Sequence, residues 1–260
     1  MENLVIIIPI HEYNDDIKPL LERAIKSIPK GLEVRLSCAN GISEQLGELK
    51  DIKDVKLTIY EDKHKNAKSD FATLVNQAVG ESKWFSILEF DDEYTQIWYD
   101  NAIIHLEYNP DISVLMTLTD IIDFNTQKYV GFGNEAPWAS SFSNEIGYID
   151  YDCLQSYFDF SLTGSIFNTD DWKEVGGLKP SIKLSFWYEL MLRWTNKGKK
   201  FYVMPKIGYK HYINRPSSLY ETYKNEIDKK EGDWWYELAK QECYYSKDRN
   251  KIYSNDEKGE

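Results

Sequence analysis

Residues 83–94 read Lys-Trp-Phe-Ser-Ile-Leu-Glu-Phe-Asp-Asp-Glu-Tyr, an apolar run that passes directly into a cluster of acids. The run Trp84 to Leu88 combines aromatic, β-branched and aliphatic residues, which is typical of a buried strand. Two carboxylates about 4 Å apart repel each other by roughly 4 kcal/mol at an effective dielectric constant near 20. The acids that follow this strand therefore need an explanation: Glu89, Asp91, Asp92 and Glu93.

A divalent cation is one explanation, because it turns the repulsion between carboxylates into attraction. Oxygen ligands suit Mg²⁺ or Mn²⁺, and Mg²⁺ is usually held by one or two carboxylates together with substrate phosphates. In an extended chain Glu89, Asp91 and Glu93 share one face, while Asp92 points the other way. The hypothesis is a metal–diphosphate site at the carboxyl end of a central strand, and the alternative is a solvated acidic turn.

The chain before this stretch alternates apolar runs with helical patterns. The runs predict strands at Leu4–Ile8, which Pro9 ends, at Glu33–Cys38 and at Val55–Tyr60, with helices near 17–28, 43–49 and 70–79. Such alternation predicts a parallel sheet, and ligands of these sheets lie outside the carboxyl ends of the strands. The segments that fall there are Pro9–Tyr13, Asn40 and Glu89–Glu93.

The second half of the chain continues with weaker patterns. They predict a helix at 97–108, a strand at 112–118, helices at 169–175 and 184–196, and strands at 200–204 and 208–213 separated by Pro205. The aromatic, glycine-rich segment Gly131–Ser165 is expected to be a long loop that serves as a lid or substrate wall. Apolar residues around Trp234 predict a final helix that packs back on the body.

Composition narrows the function classes. The chain has 260 residues, a net charge of −12 and a pI of about 4.9, which argues against non-specific binding to nucleic acid or an anionic membrane. The cysteines Cys38, Cys153 and Cys243 are far apart and fit neither a zinc site nor a disulfide framework, so a reducing compartment is expected. Leu4–Ile10 is too short to span a membrane and lacks the positive flank of a signal peptide. We therefore expect a cytoplasmic protein.

The order of these parts resembles the family 2 glycosyltransferases, which have the A-type glycosyltransferase fold. The segments that carry the resemblance are Val5–Pro9, Ser69–Val79, Glu89–Asp92 at the family's Asp-any-Asp metal motif, Thr163–Ser165 with Gly176–Gly177, Tyr188–Arg193 and His211. The acidic strand with the Gly-Gly and helix segments also resembles proteins of large tailed phages, which would place the protein in a host cytoplasm.

The family resemblance implies a fold, a reaction and a division of the chain. The fold is a single α/β, Rossmann-like domain with a mostly parallel central sheet and a helical tail. Residues 1–95 would bind the nucleotide-sugar, residues 96–215 the acceptor, and residues 216–260 would form the tail. The implied reaction is metal-dependent transfer of a sugar from a nucleotide-diphosphate sugar, with inversion at the sugar. Protein, glycan or lipid acceptors are favoured over nucleic acid by the acidic composition.

The resemblance also implies roles for individual residues. Asp91 and His211 would hold Mn²⁺ or Mg²⁺, and Glu189 would be the catalytic base. The residues expected to bind the nucleotide-sugar are Pro9, His11, Tyr13, Asn40, Lys68, Asp70, Asn76, Glu89 and Asp92.

The sequence departs from the family pattern at three positions. The family usually carries an aspartate for the uracil ring where this chain has Asn40. The first acid of the metal motif is Glu89, which has a longer side chain than aspartate. The usual position of the base is filled by Trp187 or Tyr188, and Glu189 is the nearest acid.

Two other functions fit the same layout. A nucleotidyltransferase shares the sheet and the metal carboxylates, but it usually has a basic, glycine-rich phosphate loop, and Pro9–Asp16 contains neither glycine nor a lysine or arginine. A degenerate binding module for carbohydrate or protein would keep the fold without catalysis. The aromatic residues at the position of the base are the feature that favours it.

Overall fold

One mixed sheet runs through the part of the chain that the computed structural model describes, residues 3–51, 55–63, 70–226 and 230–240. Its strands are β1 (Leu4–Ile10), β2 (Glu33–Cys38), β3 (Lys56–Glu61), β4 (Trp84–Ile87), β5 (Glu93–Tyr94), β6 (Val114–Asp123), β7 (Lys128–Gly133), β8 (Tyr148–Ile149), β9 (Ile166–Asn168) and β10 (Phe201–Ile213). The helices are α1 (Ile17–Ser27), α2 (Ser43–Leu46), α3 (Phe71–Ala78), α4 (Trp98–Tyr108), α5 (Tyr151–Leu154), α6 (Thr169–Val175), α7 (Phe186–Asn196), α8 (Leu219–Glu226) and α9 (Lys230–Lys240). Short 3₁₀ helices cover Gly47–Asp51 and Ala136–Trp138.

The strands lie in the order β3-β2-β1-β4-β9-β6-β10-β5, with β7 beside β6 and β8 beside β10. β1 pairs in parallel with β2 and β4, β2 with β3, and β6 with β10. The short β9 lies antiparallel between β4 and β6, so these two strands run the same way. The carboxyl ends of β1, β4, β6 and β10 therefore face one edge of the sheet. This arrangement confirms the predicted α/β class with a mostly parallel central sheet.

β1 continues through Pro9 to Ile10, although the sequence predicts that Pro9 ends the strand. The Ile7 carbonyl accepts a hydrogen bond from the Leu88 amide at 3.0 Å, so the backbone groups of Ile7 point toward β4. Those of Pro9 point the same way, because backbone direction alternates along a strand. β4 pairs with β1 only as far as Ile87 opposite Ile7, so Pro9 removes no donor that the sheet needs.

β6 and β10 are longer than the sequence patterns predict. β6 continues past Leu118 to Asp123, and β10 runs without interruption through Pro205. The pairing between these strands shifts register between Met204 and Ile207 and again between Ile207 and Tyr209, and it is regular from there to Ile213. A bulge absorbs the proline, because a local irregularity lets the ladder re-form on its far side. The predicted break at Pro205 is therefore wrong.

The segment Gly131–Ser165 is not one continuous loop. It contains the end of β7, the 3₁₀ turn Ala136–Trp138, the short strand β8 and the helix α5. β8 pairs antiparallel with the start of β10, which ties the segment to the sheet at the amino end of that strand. The expectation of one long loop is wrong for these parts of the segment, and its role as a lid or substrate wall stays a prediction.

Two hydrophobic cores cover the two faces of the sheet. Along β1, Val5 and Ile7 belong to the core shared with α3, α6 and α7, while Ile6 and Ile8 belong to the core shared with α1, α2 and α4. This alternation follows from the period of two along a strand that is buried on both faces. The continuous apolar run in the sequence is thus explained by helices on both sides.

The described tail contains two helices that follow β10. Trp235 and Ala239 of α9 are buried against the body, as the sequence predicts for a helix that packs back. Cys38 and Cys153 are buried free thiols, and Cys243 lies outside the described residues. Within the described ranges, no helix combines the length and the apolar composition that crossing a bilayer requires.

Candidate functional site

The acidic stretch leaves the sheet as a tight turn beside the carboxyl end of β1. The Asp92 amide donates to the Glu89 carbonyl at 3.1 Å, so the chain folds back before β5 begins. A turn reverses the alternation of an extended chain, and the expected face shared by Glu89, Asp91 and Glu93 is therefore wrong. The turn instead brings the side chains of Glu89 and Asp92 to one side.

β10 supplies a third polar group to this turn. The ligand atoms of Glu89, Asp92 and His211 all lie within 4.8 Å of one another. The His211 Nδ1 atom is 2.9 Å from Asp92 Oδ2, and the Tyr212 amide donates to Asp92 Oδ1 at 2.8 Å. Antiparallel pairing of β5 with β10, with Glu93 opposite Lys210, sets this position. Asp92 is 1% exposed, so its orientation is fixed by these bonds.

The charges of this cluster depend on one another. Burial, together with the negative charge of Asp92, raises the pKa of Glu89 to about 8. Burial lowers the pKa of His211, but the charge and hydrogen bond of Asp92 outweigh it and raise that pKa to about 10. Metal ligands bind in their deprotonated form, so a divalent cation bound here would compete with protons for Glu89 and His211. Carboxylate oxygens with one imidazole form a donor set that fits Mn²⁺ or Mg²⁺.

A glycine supports the back of the cluster. The Glu89 amide donates to the Tyr209 hydroxyl oxygen at 3.1 Å, and the Tyr209 side chain is completely buried. Gly164 has φ +76°, and a Cβ atom there would lie 2.3 Å from the Tyr209 ring. Only glycine fits, because the backbone conformation is left-handed and the ring occupies the space. This places the segment Thr163–Ser165 directly behind the acidic turn.

Asp91, the predicted metal ligand, has a different partner in this structure. Its carboxylate Oδ2 atom lies 2.5 Å from Arg215 Nε, and both side chains are buried. Its backbone carbonyl accepts from Arg23 Nη2 at 2.7 Å. Asp91 lies outside the group formed by Glu89, Asp92 and His211. Its role as a metal ligand stays a prediction, which the observed ion pair does not favour.

The loop after β1 reaches the acidic turn through His11. The His11 ring centroid lies 5.4 Å from that of Phe90, and the ring nitrogen Nε2 is 3.5 Å from a Glu12 carboxylate oxygen. Pro9 is buried in β1 opposite Ser37. Tyr13 points toward the 3₁₀ turn instead, where its hydroxyl donates to Glu48 at 2.8 Å. The structure thus brings His11, but not the Tyr13 hydroxyl, against the acidic turn.

The remaining predicted donor residues make local structural bonds. The side-chain amide of Asn40 donates to the backbone carbonyl of Asp62 at 3.1 Å. Asn76 of α3 binds both the amide and the carbonyl of Leu178, at 3.1 and 2.7 Å. Asp70 caps α3 by accepting from the Thr73 amide at 2.8 Å, and it pairs with Lys183 at 3.1 Å. Lys68 lies outside the described residues. Nucleotide-sugar binding by these residues stays a prediction.

Glu189 is completely buried in the first turn of α7. Its carboxylate accepts two hydrogen bonds from Arg193 at 2.9 Å each and lies 2.6 Å from the Lys179 ammonium. Burial raises the pKa of Glu189, but these two cations outweigh it and hold the pKa below the ordinary glutamate value. Arg193 also donates to the carbonyls of Gly176 and Gly177. Glu189 therefore orients Arg193, which fastens the glycine turn to α7, and this geometry does not favour the predicted role of Glu189 as the base.

Sequence reasoning missed Arg215 and Glu12. Arg215 lies just after β10, in an Asn-Arg-Pro segment that resembles any polar turn. Its partner Asp91 is 124 positions away in the chain. No local pattern connects them, because the contact forms only when β10 returns to the acidic turn.

Of the comparisons with known proteins, the one with solved structures shows a similar fold. No protein-family model matches the chain, and no curated protein matches it. Among solved structures, it is similar to residues 1–349 of TarS from S. aureus in complex with UDP-GlcNAc, with a TM-score of 0.59 and 12% identity. That match covers 84% of this chain and 60% of TarS 1–349, so this chain spans less than two thirds of its relative.

Two further TarS structures match over more of this chain. The UDP complex of TarS 1–349 matches 97% of this chain and 75% of TarS 1–349, with a TM-score of 0.58 and 15% identity. The longer TarS structure matches with a TM-score of 0.58 and 14% identity, and there the chain spans 45% of its relative. At such low identity the likeness concerns the fold alone. The described chain therefore has the predicted fold, that of an A-type glycosyltransferase domain.

Proposed function

We propose that this chain is a metal-dependent glycosyltransferase that uses a nucleotide-diphosphate sugar. The observation that carries the proposal is the group Glu89, Asp92 and His211, whose ligand atoms lie within 4.8 Å of one another. The group lies where the carboxyl end of β4 meets β1, the edge at which open α/β sheets bind ligands. A set of two carboxylates and one imidazole, of which Asp92 is buried and Glu89 and His211 are partly exposed, suits a divalent cation.

Each part of the site has a role in this proposal. Glu89, Asp92 and His211 would hold Mn²⁺ or Mg²⁺, and the ion would supply positive charge to stabilise a departing diphosphate. The loop at His11 covers the nucleoside beside Phe90. The hydrogen bonds from His211 and the Tyr212 amide orient Asp92 before any ligand binds. This preorganisation lowers the reorganisation needed when the diphosphate arrives.

The similarity to TarS supports the choice of donor. The TarS structures hold UDP-GlcNAc in one case and UDP in another. A nucleotide-diphosphate sugar in the same fold would place its phosphates at the same sheet edge. A likeness of 12–15% identity concerns the fold, so the proposal names no particular sugar, nucleoside or acceptor. The proposal also includes membership of the family 2 glycosyltransferases, a phage origin and inversion at the sugar.

One observation favours a second function, a carbohydrate-binding module without catalysis. Inverting transfer needs a base for the acceptor hydroxyl, and Glu189, the acid predicted for it, is engaged by Arg193 and Lys179. Tyr188 beside it is buried and donates its hydroxyl to the Leu154 carbonyl at 2.6 Å. A protein that binds donor or glycan but transfers nothing would show the same features.

Hydrolysis of the donor separates the two functions. Purified protein is incubated with a panel of nucleotide-sugars and Mn²⁺, and released nucleoside diphosphate is measured. We expect slow release from one donor, and we expect Asp92→Asn to reduce it at least about 100-fold, because it weakens the metal site. Asp100→Asn, which neutralises an exposed acid on α4, is the matched control and should retain wild-type release. Binding of a donor without release by the wild type would favour the binding module, and absence of both would contradict the glycosyltransferase.

A further inference from the structure

Arg215 is a buried cation that the proposed reaction has not used. Its side chain is 6% exposed, and its Nε atom lies 2.5 Å from the Asp91 carboxylate. Its Nη1 atom lies 3.5 Å from Glu12 in the loop after β1, and its guanidinium lies 4.9 Å from the centre of the Phe90 ring. One side chain therefore joins three separate segments: the loop after β1, the acidic turn and the chain that follows β10.

The backbone around Arg215 is strained on both sides and is held in place at Asn214. Asn214 and Ser217 have φ values of +63° and +61°, a left-handed conformation that non-glycine residues adopt at a cost. The side-chain amide of Asn214 donates to the Asp123 carboxylate at 2.7 Å. The backbone carbonyl of Asn214 accepts from the side-chain amide of Asn125 at 2.9 Å. These bonds to the β6–β7 turn compensate the local strain and direct Arg215 inward.

The charges of the acidic turn explain why a cation is needed there. Glu89, Asp91 and Asp92 place three carboxylates within one short turn, and a single divalent cation balances two of them. A diphosphate adds further negative charge at the same edge. Because Arg215 neutralises Asp91, the metal can be held by Glu89, Asp92 and His211 without an unpaired carboxylate facing the diphosphate.

We propose that Arg215 is a positioning residue of the donor site and that Asp91 is its anchor rather than a metal ligand. The proposal rests on the proposed function, since it divides the work within the same site. Arg215 acts through Asp91 and Glu12, because it holds the acidic turn against the loop after β1. The surface that binds the donor's nucleoside and diphosphate is therefore already ordered before the donor arrives. The Arg215–Asp91 pair governs donor affinity, and Asp92 governs metal affinity.

Binding measurements on the intact chain test this division without requiring turnover. Mn²⁺ affinity is measured by electron paramagnetic resonance for the wild type, Asp91→Asn and Asp92→Asn, which are isosteric changes at adjacent positions. We expect Asp91→Asn to keep Mn²⁺ affinity within about threefold, and Asp92→Asn to weaken it by about tenfold or more. Equal losses in the two variants would overturn the proposal, as would a wild-type protein that binds no Mn²⁺.

Affinity for UDP and other nucleoside diphosphates, measured by calorimetry with saturating Mn²⁺, tests the pair itself. We expect Arg215→Met to weaken the best of these ligands by about tenfold or more, and Arg215→Lys to recover part of the loss. Because Arg215 acts through Asp91, the double variant Asp91→Asn with Arg215→Met should bind as Arg215→Met does, within about twofold. The control is Lys210→Met, which removes a cation from the face of β10 opposite His211. Its nucleotide affinity should match that of the wild type.

These outcomes distinguish the inference from the proposed function. Additive losses in the double variant, or an Arg215→Met protein that binds Mn²⁺ and nucleotide as the wild type does, would overturn the role of the pair. A wild-type protein that binds Mn²⁺ and nucleotide but releases no sugar would contradict glycosyl transfer and leave the division of labour at the site supported. A merely structural role for Arg215 would lower stability without changing nucleotide affinity in the folded fraction.

Discussion

Glu189 shows how burial and partners decide what a carboxylate can do. A catalytic base needs access to the acceptor hydroxyl and a pKa near the working pH. Glu189 has no exposed side-chain surface, and Lys179 and Arg193 hold its pKa below the ordinary value. Removing one member of a buried ion pair leaves the other charge uncompensated, so the structural role has a measurable consequence.

Glu189→Gln should therefore destabilise the protein. We expect the free energy of unfolding, measured by urea denaturation, to fall by about 3 kcal/mol, because Arg193 and Lys179 lose their counter-ion. Glu174→Gln is the control: this glutamate pairs with Lys199 on the surface, and its side chain is 69% exposed. That change should alter stability by less than about 0.5 kcal/mol. Unchanged stability with abolished sugar transfer would restore Glu189 to the role of base.

At the scale of elements, the contact between α9 and the start of α7 ties the tail to the body. The Glu231 carboxylate accepts from the amides of Leu184 and Ser185 at 2.8 and 2.9 Å and from that of Lys183 at 3.2 Å. Burial raises the pKa of Glu231, but these hydrogen bonds, with that of the Ser185 hydroxyl, outweigh it and lower the pKa below its ordinary value. An ionised carboxylate also interacts favourably with the amino end of a helix.

The stabilisation by Glu231 should depend on pH. Because the folded pKa lies below the unfolded value near 4.5, the contribution is complete above pH 4.5 and is lost as pH falls toward the folded pKa. We expect Glu231→Gln to lower the free energy of unfolding by about 1 kcal/mol at pH 7, and the difference from wild type to shrink below pH 4.5. Glu237→Gln, which removes an exposed acid from the same helix, is the control. A difference that stays constant from pH 7 to pH 3.5 would contradict the assignment.

Whole-molecule behaviour follows from the net charge and from the acidic turn after β4. A chain with a net charge of −12 repels polyanions at long range, whereas a divalent cation changes the sign of the potential only locally. The molecule should therefore accept a small diphosphate with its metal and reject nucleic acid. Binding to the native state alone raises stability by mass action.

A denaturation panel tests this expectation on the intact chain. With Mn²⁺ and one nucleoside diphosphate at about a hundredfold excess over its dissociation constant, we expect stability to rise by about 2.7 kcal/mol. Duplex DNA at physiological salt should leave the unfolding transition unchanged. Stabilisation by DNA, or by none of the nucleotides, would contradict the proposed class of ligand.

Local physics was enough to predict much of this fold. The apolar runs at β1, β2 and β4 and the helical spacing of α1 and α7 are local patterns, and the structure has these elements close to the predicted places. The acidic stretch after β4 was also visible in the sequence. Its position at the sheet edge follows from the parallel order of the strands, which chain connectivity favours.

Tertiary structure alone decided which side chains meet. The turn between Glu89 and Asp92 replaced the expected alternation, and His211 reached Asp92 across 119 positions of sequence through the pairing of β10. The position of β10 also brings Arg215 into an ion pair with Asp91. Glu189 is buried in α7, where it forms an ion pair with Arg193. Strands and helices follow from short-range periodicity, but long-range packing and desolvation determine which charged side chains pair. His211 and Arg215 are far from their partners in the sequence, so no local pattern predicts these pairs.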